Sequence, residues 1–401
     1  MIALGQERQS KIDWLLLAAL AGLMTIGLAF IYSATMVTEA AQTAPWYRQR
    51  WILQIVWYLA GISAAVILCL IDYHILARWS FVAYWVTILF LLAVLIPGVG
   101  AMRFGARRWI DLGFFQIQPS EFVKLSFIFA QAHFLSRPAD ELRLPIVFWK
   151  ALGMLGLPFV LVMKEPDLGS ALILIPIGLT MMFAAGVPIR YLRNLVIGAG
   201  LLVVLILVDV LFAPPNWQIK LEDYQKRRLL VYFGRDFVPP NATPAERAEA
   251  RRAQRNYSYN VDQAMISVGS GGVFGKGWGK GTQNALGYLP RAVAHNDFIF
   301  SVIAEEKGFL GSVVVIALYS IVLFTGIRIA GQTRDRLGKL LAVGVVAMLF
   351  SHVFINIGMN IRLMPVTGVP LPLLSYGGSS VLCSLIAAGI LQNVYIYRRS
   401  Y

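Results

Sequence analysis

Charged residues are scarce. Asp, Glu, Lys and Arg make up 14% of the 401 residues, against roughly 25% in a soluble domain. With 58% hydrophobic residues, the chain has too few polar groups to wet its own surface, which excludes a soluble globule. Cysteine is nearly absent. Cys69 and Cys383 both lie in apolar runs without metal or redox spacing, so a disulfide framework is excluded. The four histidines, His74, His133, His295 and His352, are scattered without metal-ligand spacing. No serine sits in a G-x-S-x-G elbow. The glycine-rich run at 269–281 carries Gly275-Lys276 and Gly279-Lys280. Neither has a glycine five residues before its Gly or a Ser/Thr after its Lys, and no G-x-G-x-x-G register fits. Nucleotide binding of either kind is excluded, and cytosolic ATP is not the energy source. The formal net charge of +14 is ordinary for cytoplasmic loops of a membrane protein and does not call for nucleic acid.

What the chain has in abundance is long apolar runs. A spanning helix needs about 20 apolar residues. Ten segments qualify, near 14–33, 52–71, 79–97, 122–135, 146–163, 168–187, 195–213, 298–329, 340–357 and 381–397. The expected fold is an all-α polytopic membrane protein with about ten transmembrane helices and one long extracytoplasmic loop. Residues 1–213 hold helices one to seven, 214–297 the loop, and 298–401 helices eight to ten, all in one membrane domain. The fourth segment is short. The eighth is interrupted by Glu305, Glu306 and Lys307, which predicts that it begins as a buried half-helix. The first is too long for a signal-peptide core and reads as uncleaved.

With the N-terminus inside, about fourteen Lys and Arg fall in inner short loops and about seven in outer ones. Both termini are therefore expected in the cytoplasm. Arg103, Arg107 and Arg108 oppose that bias in one short outer loop. Headgroup contact and a site for an anionic ligand both explain them. In the long loop, Thr243-Pro244-Ala245-Glu246 reads as a capping box with proline at the first helical position, predicting a short helix to about residue 255. The glycine-rich run has two readings: tight turns needing positive φ, or N–H groups opened toward a phosphate beside Lys276 and Lys280.

Carboxylates gather at the outer helix ends. Gln118-Pro119-Ser120-Glu121 suits a helix start, with Glu121 favouring the N-terminal dipole and pairing with Lys124 at i, i+3. In Lys164-Glu165-Pro166-Asp167, Asp167 stands at the next N-cap. Asp297 sits where the long loop re-enters the membrane, ahead of Phe298-Ile299-Phe300 and near Glu305 and Glu306. Capping explains Asp297 too, but a partly desolvated carboxylate beside cations also suits a general base or a metal ligand. A lipid-facing bundle with a cationic rim and a central carboxylate fits a diphosphate carried on a lipid tail.

Read in order, these stretches resemble the RodA/FtsW family, the "shape, elongation, division and sporulation" proteins. The matching runs are Gly105-Ala106-Arg107-Arg108-Trp109-Ile110, Gln118-Pro119-Ser120-Glu121, Pro166-Asp167-Leu168-Gly169, Gly275-Lys276-Gly277 and Leu289-Pro290. They continue through His295-Asn296-Asp297-Phe298-Ile299-Phe300, Asn356-Ile357-Gly358-Met359, Pro365-Val366-Thr367-Gly368 and Ser375-Tyr376-Gly377-Gly378-Ser379-Ser380. Gly275-Lys276-Gly277-Trp278 and Pro365-Val366-Thr367-Gly368 are more similar to the RodA, cell-elongation branch than to the division branch.

The resemblance implies a peptidoglycan glycosyltransferase that polymerises lipid II into a growing glycan strand on the outer face of the bacterial inner membrane. It implies a class B penicillin-binding protein and the elongation machinery as partners, and no nucleic acid. It puts the family's essential aspartate on Asp297, and substrate binding on Arg107, Arg108, Trp109, Glu121, Lys124, Asp167, Lys276, Glu306 and Ser379. Three departures stand out: Asn296 replaces the usual threonine, the stretch 291–294 is about two residues longer than usual, and Arg362 stands where glycine is usual. Inverting transfer then assigns Asp297 as base on the acceptor GlcNAc 4-hydroxyl, with a divalent cation (Mg2+ or Mn2+) held by Asp297 as the competing role. Arg108, Lys124 and Lys276 are the cations for the departing diphosphate. Two other classes fit: a precursor-flipping transporter, disfavoured because such proteins bind near the midplane, and a non-catalytic scaffold activating a penicillin-binding protein.

Overall fold

The computed structural model describes residues 12–37, 42–43, 45–103, 106–111, 113, 116–212, 223–234, 243–289 and 293–398. Its helices in chain order are α1 (Trp14–Thr35), α2 (Arg50–Leu70), α3 (Tyr73–Arg78), α4 (Ser80–Leu95), α5 (Pro119–Leu135), α6 (Ala139–Leu142), α7 (Pro145–Lys164) and α8 (Leu168–Ala185). They continue with α9 (Ile189–Phe212), α10 (Asp223–Tyr232), α11 (Pro244–Ser270), α12 (Thr282–Ala285), α13 (Ile299–Gln332), α14 (Arg336–Asn360) and α15 (Gly378–Tyr397). Eight of them, α1, α2, α7, α8, α9, α13, α14 and α15, are long and apolar enough to cross a bilayer. The other two expected spans are α4, apolar but 16 residues long, and the 17-residue α5, whose apolarity is diluted by Glu121 and Lys124.

Asp13, Asp167 and Asp335 cap α1, α8 and α14, accepting from Leu16 N at 3.1 Å, Ser170 N at 3.2 Å and Gly338 N at 2.9 Å. Pro119 and Pro145 open α5 and α7, where the missing N–H costs nothing. The most apolar part of α14 is 67% buried and that of α15 72%, so these two form the centre; that of α9 is 6% buried and lies at the rim. Small residues let the backbones meet. A Cβ on Gly389 of α15 would stand 2.8 Å from Ala65 of α2.

Two features differ from the sequence reading, and a third follows it. Residues 100–117 form a three-stranded antiparallel sheet, β1 (Gly100–Arg103), β2 (Ala106–Asp111) and β3 (Gln116–Ile117), too short to show strand periodicity. The helix from Pro244 runs to Ser270 rather than to about 255, because no breaker intervenes before Gly269-Ser270-Gly271. The eighth span is one element with a break at Gly308 (φ 65, ψ −158), and residues 299–306 before that break are buried, as the half-helix reading required.

Candidate active site

The segment 365–376, between α14 and α15, returns into the bundle at the end that carries the sheet, and the predicted carboxylates collect around it. Gly368 takes φ +73, and a Cβ there would stand 3.5 Å from Asp297 Oδ2. Asp297 itself is half-buried one residue before the cap of α13. Three successive carbonyls of its turn, residues 293–298, are held from outside. Tyr376 N donates to His295 O at 2.9 Å, Ser375 Oγ to Asn296 O at 2.5 Å, and the side-chain amides of Asn356 and Asn360 to Asp297 O at 3.0 and 3.1 Å. The Arg50 guanidinium lies on the His295 ring and 5.8 Å from the centre of the Tyr376 ring.

A buried ion pair approaches the same segment from α5. Lys124 Nζ donates to Glu121 Oε1 at 2.7 Å, with both side chains almost wholly enclosed. It also meets His352 Nε2 at 2.9 Å, while His352 Nδ1 faces Pro370 O at 3.3 Å. An ammonium donates only, so this places the imidazole lone pair on Nε2 and its N–H toward Pro370. Glu121 is thus in the first turn of α5 and paired, and Lys124 is matched by a carboxylate.

Asp167 arrives on α8. Besides capping Ser170, it accepts from Gln118 Nε2 at 3.0 Å and Ser120 Oγ at 3.2 Å. Two residues on, Gly169 packs against Thr367 and Val369, where a Cβ would fall 2.4 Å from Val369 Cγ2. Ser379 ties α15 to β3, accepting from Gln118 N at 3.1 Å and donating to Gln116 O at 3.3 Å.

A β-bulge separates the roles of the two arginines that are adjacent in sequence: Arg107 pairs with Met102 and Trp109 with Ala101 of β1, and Arg108 is the extra residue between those pairs. Arg108 donates to the carbonyls of Glu165, at 3.2 Å, and Pro166. The Glu165 carboxyl is fully buried, and neither oxygen has a hydrogen-bond partner among the described residues. Burial pushes it up to about 9, Asp167 adding to the rise and Arg108 opposing it, so it is neutral at pH 7. Lys124 is balanced by Glu121 and Lys276 by Glu305; Arg108 rests on backbone carbonyls and forms no ion pair among the described residues.

Lys276 and Glu306 belong to a different assembly. The glycine-rich run clasps the break in α13 backbone to backbone. Lys276 N and Gly277 N both donate at 3.0 Å, to Glu305 O and Glu306 O, and Phe309 N donates to Gly272 O at 2.8 Å. Lys276 Nζ pairs with Glu305 Oε1 at 2.6 Å, and Glu306 accepts from Ser33 Oγ at 2.5 Å and Gly279 N at 2.9 Å. Of the two readings of this run, tight turns are the one realised: these N–H groups are spent on the protein itself, and Gly272, Gly275, Gly277 and Gly279 all have positive φ.

The usual glycine at the position of Arg362 has a backbone reason. Arg362 adopts φ +60, and its guanidinium meets Asp262 Oδ1 at 3.3 Å. Of the extension at 291–294, Arg291 and Ala292 lie outside the described residues, as do Pro290 and Gly105 of the motif runs. Sequence reading missed the roles of Arg50, His352, Asn356, Asn360 and Ser375. Asn356, Ser375 and Tyr376 were visible as motif residues, but nothing local tells that they hold the turn of Asp297.

An apolar helical bundle with the motif carboxylates and cations gathered at the end that carries the sheet defines a multi-pass membrane protein with a candidate site at that end. The chain belongs to the FtsW/RodA/SpoVE family, described as "Cell cycle protein", which it matches over residues 13–400. It is 33% identical over 369 residues to peptidoglycan glycosyltransferase MrdB of Escherichia coli (strain K12), covering 92% of this chain and 91% of MrdB. It is 34% identical over 395 residues to stage V sporulation protein E of Bacillus subtilis (strain 168), covering 98% and 99%. Among solved structures it is similar to the rod shape determining protein RodA of Thermus thermophilus, at 26% identity and a TM-score of 0.66, covering 97% and 98% of the two chains. A chain from a peptidoglycan synthase complex that coordinates polymerization and crosslinking matches at 26% identity and a TM-score of 0.73, covering 97% and 99%.

Proposed function

We propose that this chain is a peptidoglycan glycosyltransferase of the cell-elongation type. It polymerises lipid II on the outer face of the bacterial inner membrane, with both termini in the cytoplasm and a class B penicillin-binding protein as partner. The observation that carries the reading is the held turn of Asp297 beside Gly368, close to helices that bring in Asp167 and the Glu121–Lys124 pair. The names of the relatives and the synthase complex support the activity and the partner. The RodA-like runs at 275–278 and 365–368 support the elongation role.

In the mechanism, Asp297 takes the proton of the acceptor 4-hydroxyl as that oxygen bonds to the donor anomeric carbon. The bond from that carbon to the lipid diphosphate breaks, and its electron pair leaves with the diphosphate. Arg108, which forms no ion pair among the described residues, stabilises the charge that builds on the leaving group. Lys124, enclosed and paired, serves by bracing His352 against Pro370. Among the described residues no three His, Cys, Asp or Glu side chains converge on one position; a divalent cation, which needs only one or two carboxylates beside phosphate oxygens, would in the competing role be held by Asp297 and the substrate diphosphate, and would offset the charge of the departing group.

Purified protein supplied with lipid II alone tests the reading. Asp297→Ala should cut strand synthesis by 10²–10³ or more while the protein stays folded. Ordinary synthesis by that variant would end the assignment. Synthesis by the wild type without a penicillin-binding protein excludes the scaffold reading, and a headgroup-labelled flipping assay separates the transporter. Restoring elongation, not division, in a depleted strain is the expected result for the elongation role.

A further inference from the structure

Asp297 carries the chemistry in the reading above, and it lies in the turn just before α13. The backbone N–H that would reach its carbonyl from one turn on, Ser301 N, bonds Phe298 O instead at 3.0 Å. The Asp297 carbonyl is therefore outside the helix ladder. Its two lone pairs are filled from α14, where Asn356 and Asn360 stand one turn apart and both aim Nδ2 at it. On the other side, Asp297 N donates to Val293 O at 2.9 Å. Both peptide planes flanking the Asp297 Cα are thus pinned, and with them the direction in which its side chain leaves the backbone.

The amides are themselves fixed. Asn356 spends its second N–H on Val369 O at 2.7 Å, which ties Asp297 to the residue beside Gly368. Asn360 donates to Asn356 O at 2.8 Å and accepts from Ser301 Oγ at 2.6 Å. Asn356, Asn360 and Ser301 are all fully buried. Water cannot replace a lost donor there without opening the packing, so a bare carbonyl would swing to find another partner.

We propose that Asn356 and Asn360 are positioning residues for Asp297: they hold its carbonyl, and so aim its carboxylate at the acceptor hydroxyl, without touching substrate. The proposal rests on Asp297 being the base. A misplacement on the order of 1 Å costs about 10²-fold in rate. Asn356→Asp, nearly isosteric but with an oxygen in place of the donating nitrogen, and Asn360→Ala should therefore lower kcat of lipid II polymerisation by about 10- to 100-fold, with KM within about threefold. In an Asp297→Ala background the same changes should lower the residual rate no further, because they act only through that carboxylate. Wild-type kcat in the folded single variants, with Asp297→Ala inactive, overturns the positioning role alone. Full activity of Asp297→Ala overturns the reading beneath it. An equal further loss in the Asp297→Ala background assigns the asparagines to stability and also overturns the proposal. Asn360→Ser, smaller and still polar, replaces Asn360→Ala if that variant does not fold, with the same outcomes.

Discussion

Replacing Glu165 by glutamine should raise the stability of the folded protein at neutral and alkaline pH and flatten its pH dependence. The carboxyl is fully buried at the junction of α7 and α8, without a hydrogen-bond partner among the described residues. Burial lifts it from the ordinary 4.5 to about 9. The folded protein therefore keeps a proton that the unfolded chain has lost between those two values. Stability from this group is fully present below about pH 4.5 and is lost progressively up to about 9. At about 1.4 kcal/mol per pH unit, the drop by pH 7.5 is at most about 4 kcal/mol; relaxation and water penetration reduce it to about 2. Glutamine has the same shape and never ionises. Melting of the detergent-solubilised protein between pH 5 and 9 is the assay. The wild type should lose several degrees across that range, and Glu165→Gln should follow a flatter curve that crosses above it. Two parallel curves would show that Glu165 is ionised and matched in the folded state, and the reasoning would fail.

Three other outcomes are expected. Arg362→Gly removes a left-handed strain of about 1 kcal/mol and a half-exposed pair with Asp262 worth at most about that, so thermal stability should hold or rise slightly; a clear fall would make the Asp262 contact the larger effect. Gly275→Ala places a Cβ 2.3 Å from Glu306 O at φ +80, which should part the glycine clasp from α13 and speed limited proteolysis within residues 269–281; an unchanged digestion pattern contradicts the clasp. Asp167→Ala leaves the α8 N-terminus, Gln118 and Ser120 without their shared acceptor, at a cost of roughly 1–3 kcal/mol in melting measurements, and an unaltered melting curve would remove Asp167 from that role.

The spans were legible because the signal is local. Run length alone marks a helix that lipid will accept, and Pro119, Pro145, Asp13 and Asp335 act within one turn of the ends they define. The Glu121–Lys124 pair was legible for the same reason, since i, i+3 is a distance the helix itself sets. The sheet at 100–117 was not, because strands of two to six residues are stabilised by their partners rather than by their own pattern. The glycine-rich run had two readings in one dimension; the carbonyls of Glu305 and Glu306 chose between them.

Sequence by itself determined that this chain must live in a bilayer and roughly where its spanning helices lie, and it offered Asp297 as one candidate among several carboxylates at the helix ends. Tertiary structure decided which charges are available. Lys124 and His352 lie 228 residues apart, and Arg108 and Glu165 57 apart. A cation's reach depends on what neutralises it, and the neutralising group arrives from whichever helix packs alongside. Only the packed bundle brings His352 to Lys124 and Glu305 to Lys276 while leaving Arg108 on backbone carbonyls.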